Sequence, residues 1–291
     1  MTWSICIFAY NEERHLPVCI AALEKANKNK KACEIHIVEN GSSDETVKVA
    51  EVLAAADPRI TLHQLPIADK TNAWNTYIHD IAPKSRFHFF IDGDVTPCAQ
   101  AFDYLEEAFS AEPNAYAVAA LPAAGRSQSK WSRRTLIERH INGNLYALSS
   151  EAIAEFRKRN IRMPIGSVGE DGLLRYILAT NFEGGSDDSH NYRIAVSENA
   201  WFDFESLQVN PDDISLYRKR LQRYSKRHFQ NKILYPLLKK NGIAAMPEYI
   251  NEIYSTESVK GLWPRLSFEN FFGDIQTLQN LRKISSNNEK P

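Results

Sequence analysis

The sequence predicts an α/β fold: a mostly parallel sheet sandwiched by helices, followed by a C-terminal helical extension. Three observations predict it. From Trp3 to Leu121 short apolar runs alternate with stretches of helical periodicity. Repeated strand–helix units of that length build a parallel sheet covered on both faces. From about Gly125 the alternation gives way to longer helical patterns, among them a basic stretch at Arg218–His228.

The elements follow in order. Trp3–Phe8 reads as a strand, and Leu16–Lys25 as a helix with apolar residues at Leu16, Ile20 and Leu23. Glu34–Glu39 is a second strand. A helix over Asp44–Ala55 is signalled by Ser42 and Glu45, which have the spacing of a capping box. Strands are expected at Ile60–Leu65, Phe87–Ile91 and Ala115–Leu121, and helices at Asn72–Ile81 and Ala101–Phe109. Beyond them, Arg126–Lys130 is polar enough for a mobile loop. Asn144–Ser149 is a strand, Ser150–Lys158 a helix, and Leu173–Leu178 another. Glu183–Tyr192 reads as a surface turn, Ile194–Phe204 as extended chain and Ile214–His228 as a basic helix. Ser285–Pro291 is expected to be disordered. A main domain over residues 1–230, with halves 1–121 and 122–230, would precede a helical extension at 231–291.

Composition narrows the function. The 291 residues are 43% hydrophobic and 24% charged, with a net charge of −1. Nothing in that balance argues for nucleic-acid binding. The scattered Cys6, Cys19, Cys33 and Cys98 suit reduced thiols rather than a disulfide or zinc framework. The first strand begins at once, with no basic leader or cleavage site, and no apolar run is long enough to span a membrane. A cytoplasmic protein is expected.

Ligands of open α/β sheets bind at the carboxyl ends of the strands. There stand Ala9-Tyr10-Asn11-Glu12-Glu13, Glu39-Asn40-Gly41-Ser42 and Asp92-Gly93-Asp94. The paired aspartates could hold a hard divalent cation, with water and phosphates completing its shell. Asp and Gly also favour a plain surface turn. Gly93 would permit close backbone approach. Glu39 could be solvated or could bond a ribose or base edge. Ser42, Asp44 and Glu45 are sufficiently explained as helix-start residues. Glu170-Asp171 opens a helix, where acids are at home, and Ser167 has capping-box spacing to Glu170. The stretch Arg218–His228 could be a solvated face, a membrane-surface patch or a phosphate clamp made by one or two arginines. His15, His36, His63, His79, His88 and His140 show no ligand spacing and read as structural; His190 beside Asp187-Asp188 suits an exposed turn.

The order of these motifs resembles the family-two glycosyltransferases of the GT-A fold, over about Ser4 to His228. The resemblance rests on Ser4–Glu13, Ile37–Asp44, Lys70 with Ala73 and Asn75, Phe90–Asp94, Glu170-Asp171 and Gln222-Arg223-Tyr224. It implies inverting transfer of a sugar from a nucleoside-diphosphate sugar, a UDP-sugar by preference, to a hydroxyl of a glycan or lipid-linked acceptor. Ala9, Tyr10, Glu12, Glu39, Lys70, Asn75, Asp92, Gly93, Arg220 and Arg223 would contact the donor. Asp94 would hold Mg2+ or Mn2+, with Asp92 assisting. Asp171 would be the base, with Glu170 as the fallback, and acceptor choice would lie near Gly143 and Asn144. In this picture residues 1–121 bind nucleotide and 122–230 bind acceptor. Two departures stand out: Glu39-Asn40 replaces the usual aspartate of the second turn, and Trp201-Phe202-Asp203 stands where the family often has a histidine. Asp203 could then serve as a third metal ligand. The basic helix permits peripheral contact with a membrane. Rival readings are a nucleotidyltransferase, which would want a Gly-rich first loop, a glycoside hydrolase, and a sugar-nucleotide-binding protein without catalysis. A dinucleotide oxidoreductase is disfavoured because no Gly-x-Gly-x-x-Gly follows any strand.

Overall fold

Seven consecutive buried residues, Trp3–Ala9, form β1, and their apolarity on both faces marks a strand covered from two sides. The computed structural model describes residues 3–123, 128–186, 189–204 and 211–288. The remaining strands are β2 (Cys33–Asn40), β3 (Ile60–Leu65), β4 (Phe87–Asp92), β5 (Val95–Pro97), β6 (Ala117–Pro122), β7 (Leu145–Ser149) and β8 (Ile194–Phe204). They form one eight-stranded sheet in the order β3-β2-β1-β4-β7-β6-β8-β5. The helices are α1 (Leu16–Ala26), α2 (Thr46–Ala56), α3 (Lys70–Thr76), α4 (Ala101–Ala111), α5 (Gln128–Glu138), α6 (Ser150–Lys158), α7 (Glu170–Ala179), α8 (Pro211–Asn241), α9 (Thr256–Lys260) and α10 (Phe268–Asn288).

The chain divides into two compact units. The first comprises Met1–Ile161, Glu170–Phe182 and Asp187–Ser206; the second comprises Arg162–Gly169, Glu183–Ser186 and Leu207–Pro291. The boundary expected at residue 230 falls inside α8. In the first unit the odd residues of β1 join Ile35, Ile37, Phe89 and Ile91 in one core with Leu16 and Cys19 of α1 and Phe102 and Leu105 of α4. Aromatic contacts fill the opposite face, where Phe90 stacks on Tyr146 at 4.8 Å and meets Tyr77 edge-on at 5.3 Å. In the second unit Gln230 on α8 bonds Val168 N–H, the Gly166 carbonyl and the Tyr254 hydroxyl. Those bonds fix the segment that leads into α7.

Several expectations are corrected. The expected mostly parallel sheet is present, and what was not expected is its antiparallel part, where β7 meets β4 and β6 and where β5 meets β8. The three-residue β5 is an additional strand. Residues 128–130, expected in a loop, open a helix that runs to Glu138, and residues 124–127 lie outside the described part. The helix expected over Asn72–Ile81 begins at Lys70 and passes into a π turn at Tyr77–Ile81. The capping box of Ser42 and Glu45 does not form. Asp44 instead accepts the Thr46 N–H at 3.0 Å, and Ser42 Oγ accepts the Asn11 N–H. The basic helix is longer than expected, 31 residues, and α10 reaches Asn288 where disorder was expected. Asp187 and Asp188 lie outside the described residues.

A polar network is sealed beneath β1 and β4. The Tyr77 hydroxyl meets Ser4 Oγ at 2.6 Å and His88 Nδ1 at 3.0 Å, and His36 contacts His63 at 3.2 Å. Burial, then the neighbouring His63, pushes His36 down to about 4. Burial, then the charge of Arg157, does the same to His88. An unfolded histidine titrates near 6.5, so below that pH the unfolded chain takes up protons that the folded chain excludes. Stability present above about pH 6.5 is therefore lost as pH falls toward about 4. Between about pH 7.5 and about pH 4.5 the urea midpoint of the wild type should fall relative to that of His88→Gln, a comparison in which the other titrating groups cancel.

Candidate active site

Lys70 is the first residue of α3, where Asp69 caps the helix by accepting the Asn72 N–H at 2.7 Å. Its ammonium lies 2.6 Å from Asp92 Oδ1, 2.9 Å from Glu170 Oε1 and 3.1 Å from the Gly143 carbonyl. It also sits over the Phe8 ring at 5.5 Å. Burial alone would lower its pKa, but the carboxylates of Asp92 and Glu170 outweigh that and raise it above the ordinary lysine range. Asp92 is pushed up to about 7, first by burial and then by Asp94 and Glu170, with Lys70 working in the opposite direction. Gly143 leaves the room this cluster needs. A Cβ there would come within 3.1 Å of Glu170 Oε1 and 3.5 Å of the Asp171 Cβ. The next residue, Asn144, accepts the Asp92 N–H through its carbonyl at 3.1 Å. Asp171 also accepts the N–H of Gly172.

On the other side of Asp92, Gly93 donates its N–H to the Phe8 carbonyl at 2.8 Å, and the Glu12 side chain packs where a Cβ would stand. Glu12 is pushed up to about 7 by burial and by nearby Asp94, against the opposing bond from His15. A cleft of about 550 Å³ opens here, lined by Asp94 and Asp203 with His15, Thr96, Trp201 and Phe204. The pairing of β5 with β8 makes it: Thr96 is opposite Asp203, and Trp201 and Asp203, two residues apart, project from the same face of β8. Asp94 and Asp203, 109 residues apart in the sequence, thus line one cleft. Among the described residues no three His, Cys, Asp or Glu side chains gather closely enough to bind a metal on their own.

The loops after β1 and β2 are fastened together. Asn11, at φ +57, accepts the Ser43 N–H at 2.8 Å, and its own N–H goes to Ser42 Oγ. Glu12 N–H bonds Thr46 Oγ1 at 2.7 Å. Glu39 is buried and accepts the Ser42 N–H, so it braces its own turn. Ala9 and Asn75 are buried, and Tyr10 is exposed at the strand end.

A family model settles the class: the one described as glycosyl transferase family 2 matches residues 4–221. The chain belongs to that family. The enzyme is thus a glycosyltransferase, and its fold is that of solved GT-A glycosyltransferases. A mannosyltransferase of Pyrobaculum calidifontis, solved with GDP-mannose and Mn2+, is similar at 16% identity and a TM-score of 0.60, over 99% of this chain and 76% of that one. S. aureus TarS 1-349 with UDP-GlcNAc gives 15%, 0.51, 99% and 91%. Glucosyl-3-phosphoglycerate synthase of Mycobacterium tuberculosis, with Mn2+, UDP-glucose and phosphoglyceric acid, gives 19%, 0.51, 78% and 78%. No curated protein matches the sequence.

Within the glycosyltransferase, the structure gathers Lys70, Asp92, Glu170, Asp171, Gly143 and Asn144 into one cluster, with Gly93, Glu12, Asp94 and Asp203 beside or beyond Asp92. Arg220 and Arg223 are exposed on α8 in the second unit. Sequence reasoning missed His15, which bonds Glu12 at 2.9 Å, and Trp201, half-exposed in the cleft wall. Only the placement of His15 three residues after Glu12 could have flagged the first. Replacing Lys70 by Met would leave two partly buried carboxylates facing each other, and is expected to lower stability by about 2 kcal/mol. Adding Asp92→Asn should recover part of that loss in guanidinium unfolding, because the two changes share one interaction.

Proposed function

We propose that this glycosyltransferase moves a sugar, with inversion, from a nucleoside-diphosphate sugar to a hydroxyl of a glycan or lipid-linked acceptor in the cytoplasm. A UDP-sugar is the favoured donor. The observation that carries this reading is the separation of two acidic sites by one lysine, which pairs with both Asp92 and Glu170. Asp94 and Asp203 line a cleft, and Lys70 holds Asp92 to Glu170 beside the opening turn of α7.

The donor set of the cleft suits Mg2+ or Mn2+: two carboxylates supply hard oxygens, and water and phosphate oxygens would complete the shell. The Mn2+ complexes of the similar mannosyltransferase and glucosyl-3-phosphoglycerate synthase support it. Asp94 and Asp203 would hold the cation, whose charge offsets that of the departing diphosphate. Lys70 keeps Asp92 in place for the ribose or sugar. Lys70 also commits Glu170 to its ion pair, which favours Asp171 as the base. Asp171 takes the proton of the acceptor hydroxyl. The acceptor oxygen bonds the anomeric carbon as the bond to the diphosphate breaks, and the diphosphate leaves with the electron pair. Gly143 and Asn144 lie beside the acids and would border the acceptor.

Asp171→Asn should bind donor with unchanged affinity while transfer falls by roughly 10²–10⁴-fold, read from nucleoside-diphosphate release in the presence of acceptor. Wild-type turnover in that variant would remove Asp171 from the base role. Asp94→Ala and Asp203→Ala should each abolish the Mn2+-dependent part of donor binding, measured by thermal shift across UDP- and GDP-sugars. Affinity that is the same with and without Mn2+ would sink the cation assignment.

A further inference from the structure

Trp263, Leu266 and Phe272 are the three most exposed large apolar side chains of the described residues, at 76%, 96% and 72%, and they fall within one stretch of the second unit. Such a display contributes nothing to a core, and large apolar groups exposed close together in the chain point to a contact site. The stretch is firmly held. Arg265 gives its backbone N–H and its guanidinium to the buried Asp274 carboxylate at 2.9, 2.9 and 2.7 Å, and reaches Ser225 Oγ on α8 at 3.4 Å. Gly273 brings α10 against the same turn of α8, where a Cβ would lie 3.0 Å from Ser225 Oγ. Gln222 and Gln276 bond across the two helices at 2.8 Å. The apolar side chains are therefore presented by a scaffold anchored to residues 222–225 of α8.

That part of α8 is strongly basic. Arg218, Lys219, Arg220 and Arg223 are all exposed. From Ile214 to Pro247 there are nine Lys and Arg and no Asp or Glu, in a chain whose net charge is −1. Tyr217 and Tyr224, seven residues apart on one helix face, are each about half exposed. Between Gly261 and Gln276 the acids are Asp274, paired with Arg265, and Glu269, which is exposed. Trp, Leu and Phe beside Lys and Arg make up the composition of segments that lie in a membrane interface.

We propose that this face of the second unit docks on an anionic lipid bilayer, with Trp263, Leu266 and Phe272 entering the interfacial layer and the α8 arginines and lysines meeting the headgroups. The excess of basic charge selects lipid over a second copy of the chain, whose own α8 would repel it. No helix of the described residues is long and apolar enough to cross a membrane. The inference stands independently of the donor or acceptor taken by the first unit.

The full chain should co-sediment with phosphatidylcholine vesicles containing roughly a third phosphatidylglycerol, should not do so with phosphatidylcholine alone, and should be released by high salt. Trp263→Ser with Leu266→Ser should reduce that partitioning about tenfold or more, with thermal unfolding and donor binding unchanged. Absence of wild-type binding to the anionic vesicles, or undiminished binding by the double variant, would overturn the proposal. A concentration-dependent dimer that the double variant loses, without vesicle binding by the wild type, would assign the face to self-association instead.

Discussion

The ammonium of Lys70 ties together four parts of the chain that sequence keeps far apart. Asp92 ends β4, Glu170 opens α7, Gly143 precedes β7, and Lys70 itself opens α3. Two partly buried carboxylates brought this close would repel each other, and each would tend to take up a proton. The lysine makes their approach favourable, and the carbonyl of Gly143 supplies a third partner for its N–H groups. The absent side chain at Gly143 matters as much as the charges, because any Cβ there would press on Glu170. The acid at the strand end and the acid at the helix start are thus set by one cation and one void.

A second consequence concerns the balance of charge around Asp92. Lys70 offsets Asp92 and Glu170, but it lies on one side only. On the other side burial, and after it the charge of nearby Asp94, drive Glu12 up to about 7. The cleft of Asp94 and Asp203 is consequently a place of negative potential with His15 at its wall. Such a wall disfavours a bare diphosphate and favours a cation, so the polarity of the cleft agrees with its acidic lining.

Much of this arrangement was legible in the amino-acid order, and the exceptions have physical causes. Ile60–Leu65, Ser150–Lys158 and Ile194–Phe204 were read at their observed limits, because a turn or a cap bounds each apolar run. The direction of β7 was not legible: a fully buried strand such as Leu145–Ser149 is apolar whichever way its neighbours run. Val95–Pro97 is too short to show a period. In α5 Thr135 is the buried residue, so there was no apolar stripe to find. The acids at Asp92, Asp94, Glu170 and Asp171 stood out as clusters at element ends. His15 and Trp201 did not, since a single residue acquires meaning only when β5 and β8 close a cleft around it. The basic stretch was visible at once, but Trp263 and Leu266 belong to another segment, joined to α8 by the bonds of Arg265 to Ser225 and of Gln276 to Gln222.

The interlocked loops after β1 and β2 carry a lesson for anyone grafting new loops onto this scaffold. Asn11, Glu12 and Glu13 share hydrogen bonds with Ser42, Ser43, Asp44, Glu45 and Thr46. A graft of one loop alone would leave donors and acceptors of the other without their mates. The transplantable module is the pair, residues 10–13 together with 39–46, and a library that randomises either half separately would mostly sample misassembled rims rather than new preferences.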